Sequence, residues 1–273
     1  MKLSCLPVSF FKDIVQGTMT MREWAEMGKR HDLDAIDIGA VLVKAHTPAY
    51  LQTYRRELEE VGIGSAMMTD YPDYTHPDPL QREREEIYLA NDIAVASELG
   101  IRFVRVTAGQ AHPSTSRTDG VRWAIDGLRR SADVADRFGV TLVYENHSKT
   151  GAWPLPDFSH AGEIFLEIAE GIKDTSIGIN FDTANNLAYG EDPLPILDEV
   201  IDRVVCVHAA ETATRGELSP VRVGTGLVPF PDIFGKLKSS GFDGWICIEE
   251  WANEGEAGVA AAIRYVRETW DRV

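Results

Sequence analysis

The chain has 273 residues, 44% of them hydrophobic and 26% charged, the make-up of a globular chain with ample apolar material for a core. With 43 acidic residues against 27 basic ones, its net charge is −16. That sign opposes binding to nucleic-acid backbones or anionic lipid surfaces, though one or two local arginines could still hold a small anion.

The N-terminal stretch "MKLSCLPVSFFKD" lacks the apolar core and cleavage site of a secretory signal, and no run approaches the ~20 apolar residues of a membrane span. Cys5, Cys206 and Cys247 are too few for a disulfide framework and sit in apolar runs as buried thiols. The expectation is a soluble, cytoplasmic protein. Short runs rich in Val and Ile fall at roughly 2–10, 34–39, 61–69, 101–107, 140–146, 177–182, 203–209 and 245–250. Amphipathic stretches alternate with them. In chain order they are "MTMREWAEMGKRHD", "PAYLQTYRRELEEVG", "REREEIYLANDIAVASELG", "DGVRWAIDGLRRSADVADRFG", "AGEIFLEIAEG", "DPLPILDEVI", "FPDIFGKLKSSG" and "GEAGVAAAIRYVRETW". Gly62, Gly100, Gly139, Gly171 and Gly241 stand where helix C-termini commonly place glycine.

Eight strands strictly alternating with eight helices predict an α/β fold: a single closed parallel (β/α)₈ TIM barrel over 1–273, with its last helix at roughly 256–270. An open doubly wound sheet is the alternative, but the GxGxxG phosphate fingerprint is absent after the first strand. "GTG" at 224–226 reads as a turn after the seventh strand.

Barrel strands alternate side chains between the interior and the surrounding helices. Leu142 and Tyr144 set the outward face of the fifth strand, so Val143 and Glu145 point inward. In the sixth, Ile177, Ile179 and Phe181 face out and Gly178, Asn180 and Asp182 face in. In the seventh, Val205 and Val207 face out and Cys206 and His208 face in; in the eighth, Ile246 and Ile248 face out and Cys247 and Glu249 face in. Four successive strands thus end on an inward ligand type: Glu145, Asp182, His208 and Glu249. Such barrels carry their active sites at that end. Three carboxylates crowded there repel one another and lose hydration, and a divalent cation relieves both. The donor set suits Mn²⁺ or Mg²⁺, with Co²⁺ or Zn²⁺ as alternatives. Glu250 shares the outward face of Ile246 and Ile248, which leaves Glu249 as the ligand.

The segments "YENH", "NFDTANNLAYGEDP", "VVCVHAAE", "GTGLVPF" and "GFDGWICIEEW" resemble the xylose-isomerase-like barrel superfamily, and within it the sugar phosphate isomerase/epimerase group. The resemblance implies a metal-dependent enzyme acting on sugars, keto-sugars or keto-cyclitols. Glu145, Asp182, His208 and Glu249 match the family's ligands. Two departures bear on the substrate. Many epimerases carry a substrate-contacting histidine where this chain has Asn185. The family's arginine after the strand-seven histidine has two candidates here, Arg215 and Arg222. A second likeness, of "MMTDYPD" and "VRVTAGQ", is to 3-dehydroshikimate dehydratases of the same superfamily. Parity puts Arg105 inward, where it needs Glu145, Asp37 or an anionic substrate as partner.

The expected chemistry is divalent-metal-dependent isomerisation or epimerisation of a keto-sugar, a sugar phosphate or a keto-cyclitol. Glu145 and Glu249 would flank the substrate as base and acid, and the metal would stabilise the enediolate. Asn146, His147 and Asn185 could hold substrate hydroxyls, and His147 could instead orient a ligand. Trp153 could cover the sugar's apolar face or pack on the rim. The runner-up is a metal-dependent dehydratase of an inosose or of 3-dehydroshikimate. Abasic-site endonucleases share the barrel but use three zincs and extra histidines, which Asn185 and the charge oppose. A metal-dependent sugar-binding protein without catalysis is the last option. A homo-oligomer is compatible with the sequence.

Overall fold

The computed structural model describes residues 1–148 and 153–273. The chain runs through β1 (Lys2–Cys5), α1 (Phe11–Gln16), α2 (Met21–Arg30), β2 (Ala35–Gly39), α3 (Pro48–Val61), β3 (Gly64–Thr69) and α4 (Pro79–Leu99). It continues through β4 (Phe103–Val106), α5 (Arg117–Phe138), β5 (Thr141–Glu145), α6 (Gly162–Gly171), β6 (Gly178–Asp182), α7 (Asn185–Tyr189) and α8 (Pro193–Val200). β7 (Val204–Ala209), α9 (Phe230–Ser239), β8 (Trp245–Ile248) and α10 (Gly255–Arg272) complete it. Local chemistry sets many of the boundaries. A reciprocal capping box between Thr20 and Glu23 opens α2, and the side chains of Asp78, Ser116 and Asp192 cap α4, α5 and α8. Left-handed glycines at 62, 100 and 139 close α3, α4 and α5.

All eight strands are parallel, in the order β1-β8-β7-β6-β5-β4-β3-β2. This is the expected TIM barrel, nearly closed. Between β1 and β2 the seam is made by a few side-chain and end contacts in place of a ladder. Leu3 N donates to Asp34 Oδ2 (2.8 Å), Asp34 N donates to Leu3 O (2.9 Å), and Ser4 Oγ donates to Asp37 Oδ2 (2.5 Å). The larger apolar core lies between strands and helices and holds Leu142, Tyr144, Ile179, Phe181, Val207, Ile246 and Ile248. A smaller cluster of Leu6, Met67, Phe103, Val143, Cys206 and Cys247 fills the interior. Among the described residues no helix is long and apolar enough to cross a membrane.

Several expectations need correction. Val205, assigned outward, packs against the interior cluster. The β6–β7 register shifts so that Ile179 faces Val204 while Asn180 faces Cys206. Val205 is the extra residue of this bulge and turns inward. Gly178 makes room for it, since a Cβ there would lie 2.5 Å from Val205 Cγ2. The first predicted strand overshoots: β1 ends at Cys5, and Val8–Phe10 is a 3₁₀ turn leading into α1. Gly171 is the last residue of α6 and lacks the left-handed conformation; Ile172 follows it as the cap.

Candidate metal centre

At the C-terminal ends of β5, β6 and β7, ligand atoms of Glu145, Asp182 and His208 all lie within 4.8 Å of one another, and all three residues are buried. His208 Nδ1 is 2.9 Å from Glu145 Oε1 and 3.2 Å from Glu249 Oε1, which brings the end of β8 to the same point. Asp182 is fixed from two sides. Its backbone N–H donates to Asn146 Oδ1 (2.7 Å), and its Oδ1 accepts from Ala184 N (2.8 Å) and Asn185 N (2.7 Å) as α7 begins. Glu250 points elsewhere and accepts from Ser9 Oγ (2.8 Å) and Ala252 N (3.0 Å). Three carboxylates and one imidazole converging in a buried space form a donor set that fits a hard or borderline divalent cation.

Arg105 sets the charge balance beside this cluster. Its Nε lies 3.0 Å from Glu145 Oε2, Nη1 donates to Asp70 O (3.0 Å), and its guanidinium stacks 4.1 Å from the Tyr71 ring centre. Burial alone would raise the Glu145 carboxyl. His208 and Arg105 more than reverse that and hold it well below the usual carboxylate range. Burial opposes charge on His208, but Glu249 and Glu145 outweigh it and raise the imidazole above its ordinary value.

A cavity of about 610 Å³ opens over the cluster, within the usual size range of small-molecule sites. Thr69, Asp70, Tyr71, His147 and Glu249 line its polar side; Leu6, Val8, Phe11, Val41, Trp153 and Trp251 make its apolar walls. Tyr71, His147 and Trp153 meet edge to face, with ring centres 5.5–6.3 Å apart. Tyr71, Asp70 and Trp251 were not singled out from the sequence. The available signals were their position just past β3 and β8, where barrels of this type concentrate function, and for Asp70 and Tyr71 their place in "MMTDYPD".

Other residues read as substrate contacts sit away from the cavity lining. Asn146 cross-links two strand ends: Nδ2 donates to Asp182 O (2.9 Å) and to Asn186 Oδ1 (2.8 Å). Asn185 is buried at the start of α7, where its Oδ1 accepts from Ser148 Oγ (2.9 Å). Arg215 is exposed and donates to Gly190 O, while Arg222 pairs with Glu254 at 2.8 Å. Among the described residues, Lys12 is the one cation lining the cavity, and it is exposed.

Asp70 carries a testable pH signature. Burial, and then the neighbouring Asp92, push its carboxyl up to about 7. A folded-state pKa above the unfolded one means the native chain holds a proton that the unfolded chain has lost. The associated stability is fully present below about pH 4 and is lost as pH rises through about 7. Asp70→Asn is expected to flatten this slope and to exceed the wild type in stability at pH 8 by about 2–4 kcal/mol. Urea midpoints at pH 5 and pH 8 measure it; equal slopes for both proteins would contradict the assignment.

Comparison with known proteins bears on the same region. The family model described as "Xylose isomerase-like TIM barrel" matches residues 25–269. An inosose dehydratase of Geobacillus thermodenitrificans (strain NG80-2) is 28% identical over 166 residues, which cover 53% of this chain and 53% of that protein. The L-ribulose-5-phosphate 3-epimerase UlaE of Shigella flexneri serotype 5b (strain 8401) is 26% identical over 196 residues, covering 71% and 65%. The chain thus spans about half to two thirds of the length of these curated relatives. Among solved structures, the probable 3-DHS dehydratase AsbF from Bacillus anthracis is similar in fold, with a TM-score of 0.80, 15% identity and coverage of 98% and 99%. The D-psicose 3-epimerase from Clostridium cellulolyticum H10 has a TM-score of 0.81, 12% identity and coverage of 99% of both chains.

Proposed function

Because the chain belongs to the xylose isomerase-like TIM barrel family, we propose that it is a divalent-metal-dependent isomerase or epimerase of an uncharged keto-sugar or keto-cyclitol. The observation that carries this reading is the buried meeting of Glu145, Asp182 and His208, with Glu249 beside them, under a mixed polar and apolar cavity. Those four residues would hold the ion. When bound, it supplies Lewis-acid stabilisation of charge developing on the substrate's carbonyl oxygen. Mn²⁺ or Mg²⁺ suits this oxygen-rich set, with Co²⁺ and Zn²⁺ as alternatives.

Glu249 is the base that removes the proton beside the carbonyl. It lines the cavity, and the Arg105 guanidinium is paired with the other glutamate. His147 holds a substrate hydroxyl, and Tyr71 with Trp153 covers the apolar face of the ring. The preference for an uncharged substrate follows from the cations. Arg105 is committed to Glu145, and Arg215 and Arg222 are engaged outside the cavity. A carboxylate or phosphate would therefore bring a charge without a buried arginine to meet it.

One observation favours dehydration as the second reading. Inversion needs a second group to return the proton on the far face, and the Arg105 guanidinium 3.0 Å from Glu145 Oε2 makes that carboxylate a weak base for the exchange. Loss of a β-hydroxyl as water needs one base only, and the dehydratase named above acts on an inosose, as its name states. The test supplies metal and screens keto-sugars, inososes and 3-dehydroshikimate in deuterated water by mass spectrometry. Deuterium gain without mass loss supports isomerisation or epimerisation, and loss of water supports dehydration. Preference for 3-dehydroshikimate would overturn the uncharged-substrate reading. In the same assay His208→Ala is expected to lose bound metal, measured by elemental analysis, whereas Glu250→Gln keeps it. Full metal occupancy in His208→Ala would refute the ligand set.

A further inference from the structure

The loop that follows β5 carries a second buried pair. His147 is 2% exposed and Asp157 is fully buried, and His147 Nδ1 lies 3.5 Å from Asp157 Oδ2. Among the described residues, neither of these two atoms has a hydrogen-bond partner. Buried polar atoms without partners are costly and therefore uncommon. Here the two orphaned atoms face each other just beyond the usual N–H···O range of about 2.7–3.2 Å. From this geometry we infer that Asp157 is a positioning residue: it holds the His147 proton on Nδ1, which turns Nε2 into a hydrogen-bond acceptor for a substrate hydroxyl.

The carboxylate is set in advance. Asp157 Oδ1 accepts from both Ser159 N and Ser159 Oγ at 2.7 Å, which satisfies the local turn and leaves Oδ2 for the histidine. The backbone is pinned on both sides of Asp157. Ala111 N donates to Pro156 O (2.9 Å), Phe158 N donates to Gly109 O (2.7 Å), and Gln110 bridges to Asp157 itself. Were the turn the whole role of Asp157, Oδ1 would suffice.

An ionised carboxylate only accepts hydrogen bonds, so the ring must offer it N–H. In a neutral imidazole the other nitrogen is then an acceptor. The His147 ring lines the cavity with Tyr71 and Trp153 at its edges. A hydroxyl that donates to Nε2 is selected over a hydrogen, an ether or a carbonyl at the same carbon. This role rests on the cavity being a substrate site, but its spectroscopic signature does not.

The test is nitrogen NMR of ring-labelled histidine in protein loaded with Mg²⁺ or Zn²⁺ at pH 8, with the His147 signals assigned by their loss in His147→Gln. The wild type is expected to show a protonated Nδ1 and an acceptor-type Nε2. Asp157→Asn is expected to shift this to a tautomer mixture. On the substrate found by the deuterium screen, the same variant should lose roughly ten- to a hundredfold in kcat/KM, chiefly through KM, with metal content unchanged. Should Asp157→Asn fail to fold, Ser159→Ala removes one of the two donors to Oδ1, loosens the carboxylate, and should give a smaller shift in the same direction. A wild-type proton on Nε2, or the same tautomer in wild type and both variants, would overturn the assignment. If the tautomer shifts while no screened compound reacts, the positioning role stands and the proposed reaction class fails.

Discussion

Glu249→Gln, assayed at saturating divalent metal, is expected to lose exchange of the substrate's α-proton with solvent by about 10²–10⁴-fold, the usual contribution of a positioned base. Glutamine keeps the shape and one ligating oxygen but accepts no proton at neutral pH. Saturating metal separates lost chemistry from lost affinity. Glu145→Gln is expected to lose less, because the buried Arg105 guanidinium paired with Glu145 already withdraws basicity from it. Solvent-deuterium incorporation measures both variants. Equal and near-complete losses would restore a symmetric two-base epimerisation. Near-wild-type exchange in Glu249→Gln would remove Glu249 from the role of base.

The second large effect concerns stability. Arg105→Met should cost the metal-free protein about 3–5 kcal/mol, the usual consequence of removing one partner from a buried ion pair. Both members are 1% exposed, and the charge left on Glu145 would keep His208, 2.9 Å away, as its nearest described ion-pair partner. A divalent cation bound at Glu145 would neutralise the same carboxylate, so excess metal is expected to recover most of the loss. Urea denaturation with chelator and with metal checks this. An equal deficit in both conditions would mean that Arg105 acts through its packing on Tyr71 instead.

The barrel was readable because its two periods are long-range and redundant. Ile177, Ile179 and Phe181, like Ile246 and Ile248, mark the helix-facing side, and alternation turns Asp182 and Glu249 to the other. The same alternation put Arg105 and Glu145 inside on neighbouring strands, which made their pairing one of three stated options. Val205 escaped because a one-residue bulge leaves a run such as "VVCV" apolar in every register. The six residues of α1 cover less than two turns, too few to show a helical period. Asn146, which the structure engages with Asp182 and Asn186, lay beyond the reach of alternation for a different reason. Past the last inward residue, alternation no longer says whether an amide serves a ligand or the neighbouring strand. Arg215, Arg222 and Asp157 lie on loops, where no period exists to aim a side chain.

The seam between β1 and β2 has a mechanical consequence. Elsewhere around the barrel, parting two strands breaks a ladder of backbone bonds, whereas here three side-chain and end contacts bear the strain. Leu6, Val8 and Phe11 follow one edge of that seam, and Gly39, Ala40 and Val41 follow the other, so the cavity's apolar wall straddles it. Parting along this line would leave β5 to β8, the strands bearing Glu145, Asp182, His208 and Glu249, laced to one another by their backbone ladders. Under the proposed reaction, passage of a ring along this seam would leave the strands that carry the four ligand residues undisturbed.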